Sequence, residues 1–201
     1  IFFQLKEVFH ILESMASARI EGNHTTIADY VEEKIAPSLK PTEAYSEIAN
    51  IEKAMCYIEN TIDAGAEITL MFIRELHQLV VSDLKHEGDK TPGAFRANNV
   101  RIANSAHCPP EQHLVLGYME KLLSFINSKE PDKYDLLKTA IAHHRFAWIH
   151  PFSNGNGRVV RLLTYALLIK YGFNVKQGKL LNPNAVFCNN RNDYYSYLAQ
   201  A

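Results

Sequence analysis

Cysteine is scarce in this chain of 201 residues: there are three, at positions 56, 108 and 188, far apart and without a C-x-x-C pair. An odd, dispersed set argues against a disulfide framework or a cysteine-based zinc site and fits a reducing, cytoplasmic setting. Net charge is equally sparse, since 21 Lys and Arg against 22 Asp and Glu leave −1 at pH 7. No global field draws the chain to nucleic acid or to an anionic membrane, which leaves only local basic clusters to consider. No apolar run reaches membrane-spanning length and no signal peptide is visible, so no membrane partner is expected. Repeats, low-complexity tracts and a Walker G-x-x-x-x-G-K-[ST] loop are also missing. The first residue is Ile rather than Met, which reads as a fragment with a partner domain outside it. What is present is 47% hydrophobic and 21% charged, an ordinary globular balance with enough apolar residues for one core.

Hydrophobic spacing is helical through most of the chain. Residues 3–20 carry Leu5, Val8, Phe9, Leu12, Met15 and Ala16 on one face, and Gly22 is placed to stop that helix. A second helix is predicted from an N-cap at Thr25 or Thr26 to just before Pro37. Further helices are expected over 42–63, with Ile48, Ile51, Ala54, Met55 and Ile58 inward, and over 69–84, 110–127, 135–149 and 155–171, with a terminal helix after 189. Residues 171–185 read as loop, and so does the overlapping stretch 182–190. The stretch 86–110 is rich in Gly, Pro, Asn and Asp, and within it 94–103 reads as a small hairpin with Asn98 and Asn99 at the turn. The expected class is all-α with one small β-hairpin.

The run "HPFSNGNGRVVR", His150 to Arg161, is an electrostatic puzzle. A glycine-rich turn opens a helix, whose N-terminus favours anions, yet Arg158 and Arg161 sit three apart beside it. Each arginine there costs ~0.3–1 kcal/mol against the dipole, whereas each charge-assisted hydrogen bond to a phosphate returns roughly 1.5–3 kcal/mol. A bound polyphosphate therefore reverses the sign. The free N–H groups of Gly155, Asn156, Gly157 and Arg158 would line an anion site, and His150, fixed before Pro151, would point into the turn. The plainer reading is two arginines paired with surface carboxylates.

These residues resemble the signature of Fic domains, H-P-F-x-[D/E]-G-N-G-R-x-x-R. "AIAHHRFAWIHPF", "TPGAFRANNVRI", "EIANIEKAMCYI", "IRELHQLV" and "NRNDYYSYL" extend the resemblance over most of the chain. The resemblance implies a Fic fold over residues 1–201, with an inhibitory helix and motif at 1–24, a flap hairpin at 91–104 and the signature at 150–161. It implies adenylyl transfer: a protein Ser, Thr or Tyr hydroxyl attacks the α-phosphorus of ATP and pyrophosphate leaves. His150 would be the general base; Gly155, Asn156 and Gly157 the anion hole; Arg158 and Arg161 the clamp on the outer phosphates; Phe152 a core anchor. Asn154 departs from the pattern, standing where the family has the acidic ligand for Mg2+. Its neutral oxygen makes it a doubtful ligand for Mg2+ or Mn2+ and implies weaker metal binding and lower or altered transfer. Gly157, rather than Lys, argues against the kinase-like Doc branch.

Glu21 is misplaced in the opposite sense, at the negative end of the first helix with Ser17 one turn before it. One solution pairs it with the misplaced arginines in the absence of nucleotide; the plainer one leaves it in solvent. Ser17, Glu21 and Gly22 resemble the Fic inhibitory motif [S/T]-x-x-x-E-[G/N], which implies that Glu21 bridges to Arg161 and blocks the γ-phosphate. The resemblance also implies target docking on the flap and purine contacts from Asn190, Tyr194 and Tyr195, with at least one tyrosine in the core. Homodimers are common in the family. Removal of AMP from a target, transfer of another nucleotide, and a nearly inactive nucleotide-binding module are the alternatives. His143 lies seven before His150 without a third metal ligand and reads as structural. His77, His107 and His113 carry no functional expectation.

Overall fold

The computed structural model describes residues 2–103, 105–173 and 183–200. Its organising element is a helix that has no solvent face. NGRVVRLLTYALLIK (α7, Asn156–Lys170) is buried at every position but Gly157. Its apolar residues fall all round the helix instead of on one stripe, the pattern of a helix enclosed on every side. Enclosure comes from α6 (Asp135–Ile149), α3 (Glu43–Thr61), α4 (Leu70–Val81) and, more lightly, α1 (Phe2–Ile20). Helix α5 (Val115–Asn127) backs α6, and α8 (Pro183–Asn189) packs on α1, followed by α9 (Arg191–Gln200). The expected stripe of α3 is fully inward: Ile48, Ile51, Ala54, Met55 and Ile58 are all buried. No helix among the described residues is long and apolar enough to cross a membrane.

Local chemistry sets most helix ends. Thr26 caps α2 (Ile27–Ile35) in a reciprocal box with Asp29, and Thr42 and Thr69 cap α3 and α4. Gly22 takes φ 103° after α1, a left-handed pose that costs glycine little, while Asn23 N–H donates back to Ala18 O at 3.1 Å. Helix α4 stops three residues short of expectation because Asp83 turns left-handed at φ 56°.

Two expectations differ from the fold. No strand is present among the described residues, and 94–103 forms irregular chain with bends and a turn instead of a hairpin. Its hydrogen bonds run elsewhere: Arg96 N–H donates to Pro151 O, and the Arg96 guanidinium takes up Asn98 O, Pro110 O and His150 O. The segment is tied to the signature loop before it can pair with itself. Residues 183–189, expected within a loop, form α8. Pro183 suits a first helical position, and Asn184 N–H docks on Glu13 Oε1 of α1 at 3.2 Å. The rest of that expected loop, 174–182, lies outside the described residues, as does Asn104.

Helix α1 is anchored by a buried carboxylate. Glu59 on α3 accepts from His10 Nε2 at 2.8 Å and Tyr165 Oη at 2.7 Å, and pairs with Lys6. Burial opposes its ionisation, but the hydrogen bonds from His10, Lys6 and Tyr165 win and hold it down to about 2. A carboxyl depressed on folding stabilises above its ordinary value near 4.5, and that stability is lost as pH falls through about 2. The linkage is on the order of 3 kcal/mol. Glu59→Gln should therefore be less stable than wild type at pH 7, with the gap closing between about pH 4.5 and 2 in urea unfolding. A gap independent of pH would contradict this account of how α1 is held.

Candidate active site

Helix α6 ends at His150, whose backbone is left-handed at φ 50° and ψ 61°, an unusual pose for a residue with a side chain. The chain then turns through Pro151–Asn154 and starts α7 from Gly155, again left-handed at φ 74°. Phe152 anchors this loop as expected. It is fully buried and stacked on the His77 ring of α4, with centroids 3.8 Å apart and planes within 4°. His77, to which sequence reasoning gave no role, is a main fastener. Gly93 N–H donates to its Nδ1 at 2.9 Å, so its Nε2–H faces outward and donates to Asn154 O at 3.2 Å. Burial pushes this histidine down to about 4 and keeps it neutral. Asn156 staples the loop from the other side, exchanging side-chain hydrogen bonds with both Phe152 N–H and Phe152 O at 2.9 Å.

The loop encloses a cavity of about 120 Å3 lined by His150, residues 153–158 and Glu21. Three of the four expected backbone donors are open to it. Asn156, Gly157 and Arg158 lie in the first turn of α7, where N–H groups have no partner within the helix. The Gly155 N–H is taken by Asn154 Oδ1 at 2.7 Å. That contact bears on Asn154 as a metal ligand. Its one oxygen is engaged and neutral, and its Nδ2 donates to Gly88 O at 3.1 Å. No group of three or more His, Cys, Asp or Glu able to hold a metal occurs among the described residues. The donor set does not fit a magnesium ion held by the protein.

The two arginines of the signature diverge. Arg161 is 1% exposed and donates Nε to Ser17 Oγ at 2.8 Å and Nη2 to Ser17 O at 3.1 Å and to Glu21 Oε1 at 2.7 Å. Ser17 and Glu21 thus meet Arg161 across 144 and 140 residues, as the charge argument requires. Burial opposes the Glu21 charge, yet Arg161, by charge and hydrogen bond, with Arg158 and Arg191 behind it, holds its carboxyl below the ordinary value. Gly157 makes room for this carboxylate: a methyl group built there would lie 2.2 Å from Glu21 Oε1. Glu21 therefore sits over the helix N-terminus, where an incoming phosphate would go. Arg158 turns the other way, to Glu87 O at 2.6 Å, Val80 O at 3.4 Å and the carboxylates of Glu47 and Glu87, each at 3.4 Å. Glu47 was missed in the sequence. Its signal was there, because Glu47 and Asn50 are polar positions flanking the apolar stripe of α3.

His150 lines the cavity with a neutral ring. Burial lowers its pKa to about 4; a backbone hydrogen bond at Ala147 and the Glu21 charge pull upward, and Arg96 and His107 pull down. His143 is structural, as expected. Thr164 Oγ1 donates to Val160 O, so it accepts His143 Nδ1–H at 2.7 Å, and Tyr194 Oη donates to His143 Nε2 at 2.9 Å. Burial pushes His143 down to about 3. Tyr194 is thereby a core residue, stacked on Phe187 at 4.8 Å. Tyr195 is the open ring, 44% exposed with the Arg191 guanidinium 5.7 Å from its centroid. Asn190 is exposed and donates Nδ2 to Val186 O at 3.1 Å.

Comparison with known proteins shows what the chain is similar to. The sequence model of the Fic/DOC family matches residues 67–168. The chain is 32% identical over 204 residues to "Protein adenylyltransferase Fic" of Nematostella vectensis, covering 98% of this chain and 44% of that protein. It is 33% identical over 197 residues to the protein of the same name in Aedes aegypti, covering 96% and 36%. The chain thus spans less than half the length of these relatives. A Fic family protein from Desulfovibrio desulfuricans G20 superposes with TM-score 0.78 at 26% identity, over 98% of this chain and 57% of that one. Fic-1 (aa134–508) from C. elegans shares the fold at TM-score 0.71 and 18% identity, over 98% and 61%.

The fit of Glu21 over Gly157 is directly testable. Gly157→Ala should displace the carboxylate, so its cost should shrink when Glu21→Gly is already present. A double-mutant cycle read by urea unfolding should give a coupling of roughly 0.5–3 kcal/mol. An equal cost with and without Glu21 would place the carboxylate elsewhere.

Proposed function

The chain belongs to the Fic/DOC family, and from that membership and the site we propose that it is a protein adenylyltransferase held off by its own α1. One observation carries the reading. His150 and the first turn of α7 line one small cavity, and Glu21, held by Arg161 from behind, is an anion of the protein lying against that turn.

In this reading ATP lays its phosphates over the first turn of α7, against the N–H groups of Asn156, Gly157 and Arg158. Developing charge there meets donors that need no reorganisation. A hydroxyl of the target attacks the α-phosphorus, its proton passes to the neutral His150 ring, an O–P bond forms, and the bond to the β-phosphate breaks to release pyrophosphate. Such a base is typically worth ~10²–10⁴ in rate. Arg161 is the natural partner of the outermost phosphate once Glu21 leaves. Arg158, turned toward Glu47 and Glu87, serves chiefly to fix the start of α7. Mg2+ or Mn2+ enters only with the triphosphate, and no step depends on a protein ligand to it. Tyr195 offers the exposed ring against which a purine can stack. The segment 94–103 lies beside His150 through the contacts of Arg96, placed to align a target hydroxyl. A cytoplasmic setting belongs to the same reading and rests on three free cysteines.

The site's contacts imply the regulation. While Glu21 holds Arg161, an ATP γ-phosphate would have to displace a carboxylate and overcome like-charge repulsion. Incubation with [α-32P]ATP, in Mg2+ and separately in Mn2+, should label wild type weakly and the Glu21→Gly variant at least about tenfold more, on the scale of one lost ion pair. Adding His150→Ala should remove the gain. Equal labelling of wild type and Glu21→Gly would contradict self-inhibition. Labelling that survives His150→Ala would contradict the base.

A further inference from the structure

Arg96 is an odd residue to find in a core. It is 3% exposed, and no carboxylate pairs with it among the described residues. All three nitrogens of its fork go to backbone carbonyls: Nε to His150 O at 2.9 Å, Nη1 to Asn98 O at 3.0 Å, and Nη2 to Pro110 O. Its own N–H closes the set on Pro151 O at 2.9 Å. A buried cation without a counter-charge is costly, and a neutral side chain could fill the same space more cheaply. The carbonyls it gathers explain the choice. They come from three separate stretches of irregular chain, and one belongs to the residue whose left-handed backbone aims the candidate base.

We propose that Arg96 is a positioning residue for the reaction: its fork locks the His150 peptide in the left-handed pose that directs the imidazole into the cradle, and fastens the chain at Asn98 and Pro110 to that base. The inference rests on the transferase reading and deepens it. A left-handed residue with a side chain costs on the order of 1–3 kcal/mol and persists only where surrounding contacts over-determine it. Here two such contacts act on adjacent peptides, Nε on His150 O and the Arg96 N–H on Pro151 O. The other two arms of the fork hold the stretch on which a target would lie, so substrate alignment and base alignment share one side chain. The guanidinium also stands among the charged and titratable groups that face the His150 ring, with His107 from the same segment and Glu21 from α1. Its charge favours the neutral imidazole.

The test uses the full chain in two independent assays. In the Glu21→Gly background, Arg96→Met and Arg96→Lys should each lower kcat for AMP transfer by about 100-fold, the scale of a misaimed catalytic group, with little change in KM for ATP. An ammonium cannot reach three carbonyls at the spacing of the fork, so Lys should rescue poorly. Urea unfolding of Arg96→Lys should stay close to that of the Glu21→Gly parent, so that the loss reads on alignment and not on folding. Unchanged kcat in both variants, or a KM for ATP that rises in step with the loss, would reduce Arg96 to general structural support and overturn the proposal. The second assay is an NMR titration of the His150 ring, which needs no activity. Arg96→Met should raise its midpoint by about half a unit or more from the wild-type value, while Arg96→Lys, which keeps the charge, should shift it less. If Glu21→Gly transfers no AMP at all, the transferase reading fails, and the titration alone decides Arg96: an unmoved midpoint and unmoved ring shifts in Arg96→Met overturn its hold on His150.

Discussion

A guanidinium buried beside the N-terminus of a helix is the constraint to which the rest of this structure answers. The open N–H groups at the start of α7 already carry partial positive charge, and Arg158 and Arg161 add two full charges within two turns. Such an arrangement is stable only with anions nearby. The protein supplies them in two directions. Glu47 and Glu87 compensate Arg158 from the side of α3 and the loop after α4, and Glu21 compensates Arg161 from the end of α1. The difference between the two is exposure. The Glu47 side chain is 5% exposed, Glu87 45% and Glu21 28%, so Arg158 keeps one carboxylate fixed in the core, whereas the single carboxylate on Arg161 is partly open to solvent.

The packing around α7 makes that exchange a local event. The helix is enclosed on all sides, its first turn is stapled by Asn156 and Phe152, and the loop before it is clamped by His77 and Arg96. Helix α1 touches α7 only lightly and rests mainly on α3 and α8. Its attachment uses buried ionisable groups: Glu59 with His10 and Lys6, and Glu13 against the start of α8. Burial, only partly offset by hydrogen bonds from Asn184 and Ala185 and by Arg161, pushes Glu13 up to about 8, so this second contact is held by a neutral carboxyl. A buried cradle and a helix fastened by titratable contacts are the physical basis on which the proposed self-inhibition rests.

Much of this was legible in the sequence. The helical periodicity gave the bundle, and opposite charges misplaced at two helix ends pointed to each other across more than 130 residues. Gly155 and Gly157 marked the places where backbone and carboxylate come close. Other features were not legible, for identifiable reasons. The "AFRANNVRIA" stretch carries turn chemistry typical of a hairpin, but tertiary hydrogen bonds from Arg96 outcompete strand pairing. The α8 segment has little periodicity of its own and is helical through docking on α1. The fate of Asn154 depends on its neighbour's N–H, which no pattern of residue types reveals. The split between the two arginines depends on Glu47 and Glu87, acids whose distance in sequence conceals them.

The central claim is that Glu21 occupies the seat of a nucleotide's terminal phosphate. The most direct measurement is the ratio of ATP to ADP affinity by calorimetry, in the presence and absence of that carboxylate. With Glu21 in place the γ-phosphate should add nothing, and the two nucleotides should bind alike. In Glu21→Gly the freed Arg161 should favour ATP by roughly 10- to 100-fold, the value of one charge-assisted contact of ~1.5–3 kcal/mol. Identical ratios in both proteins would contradict the account.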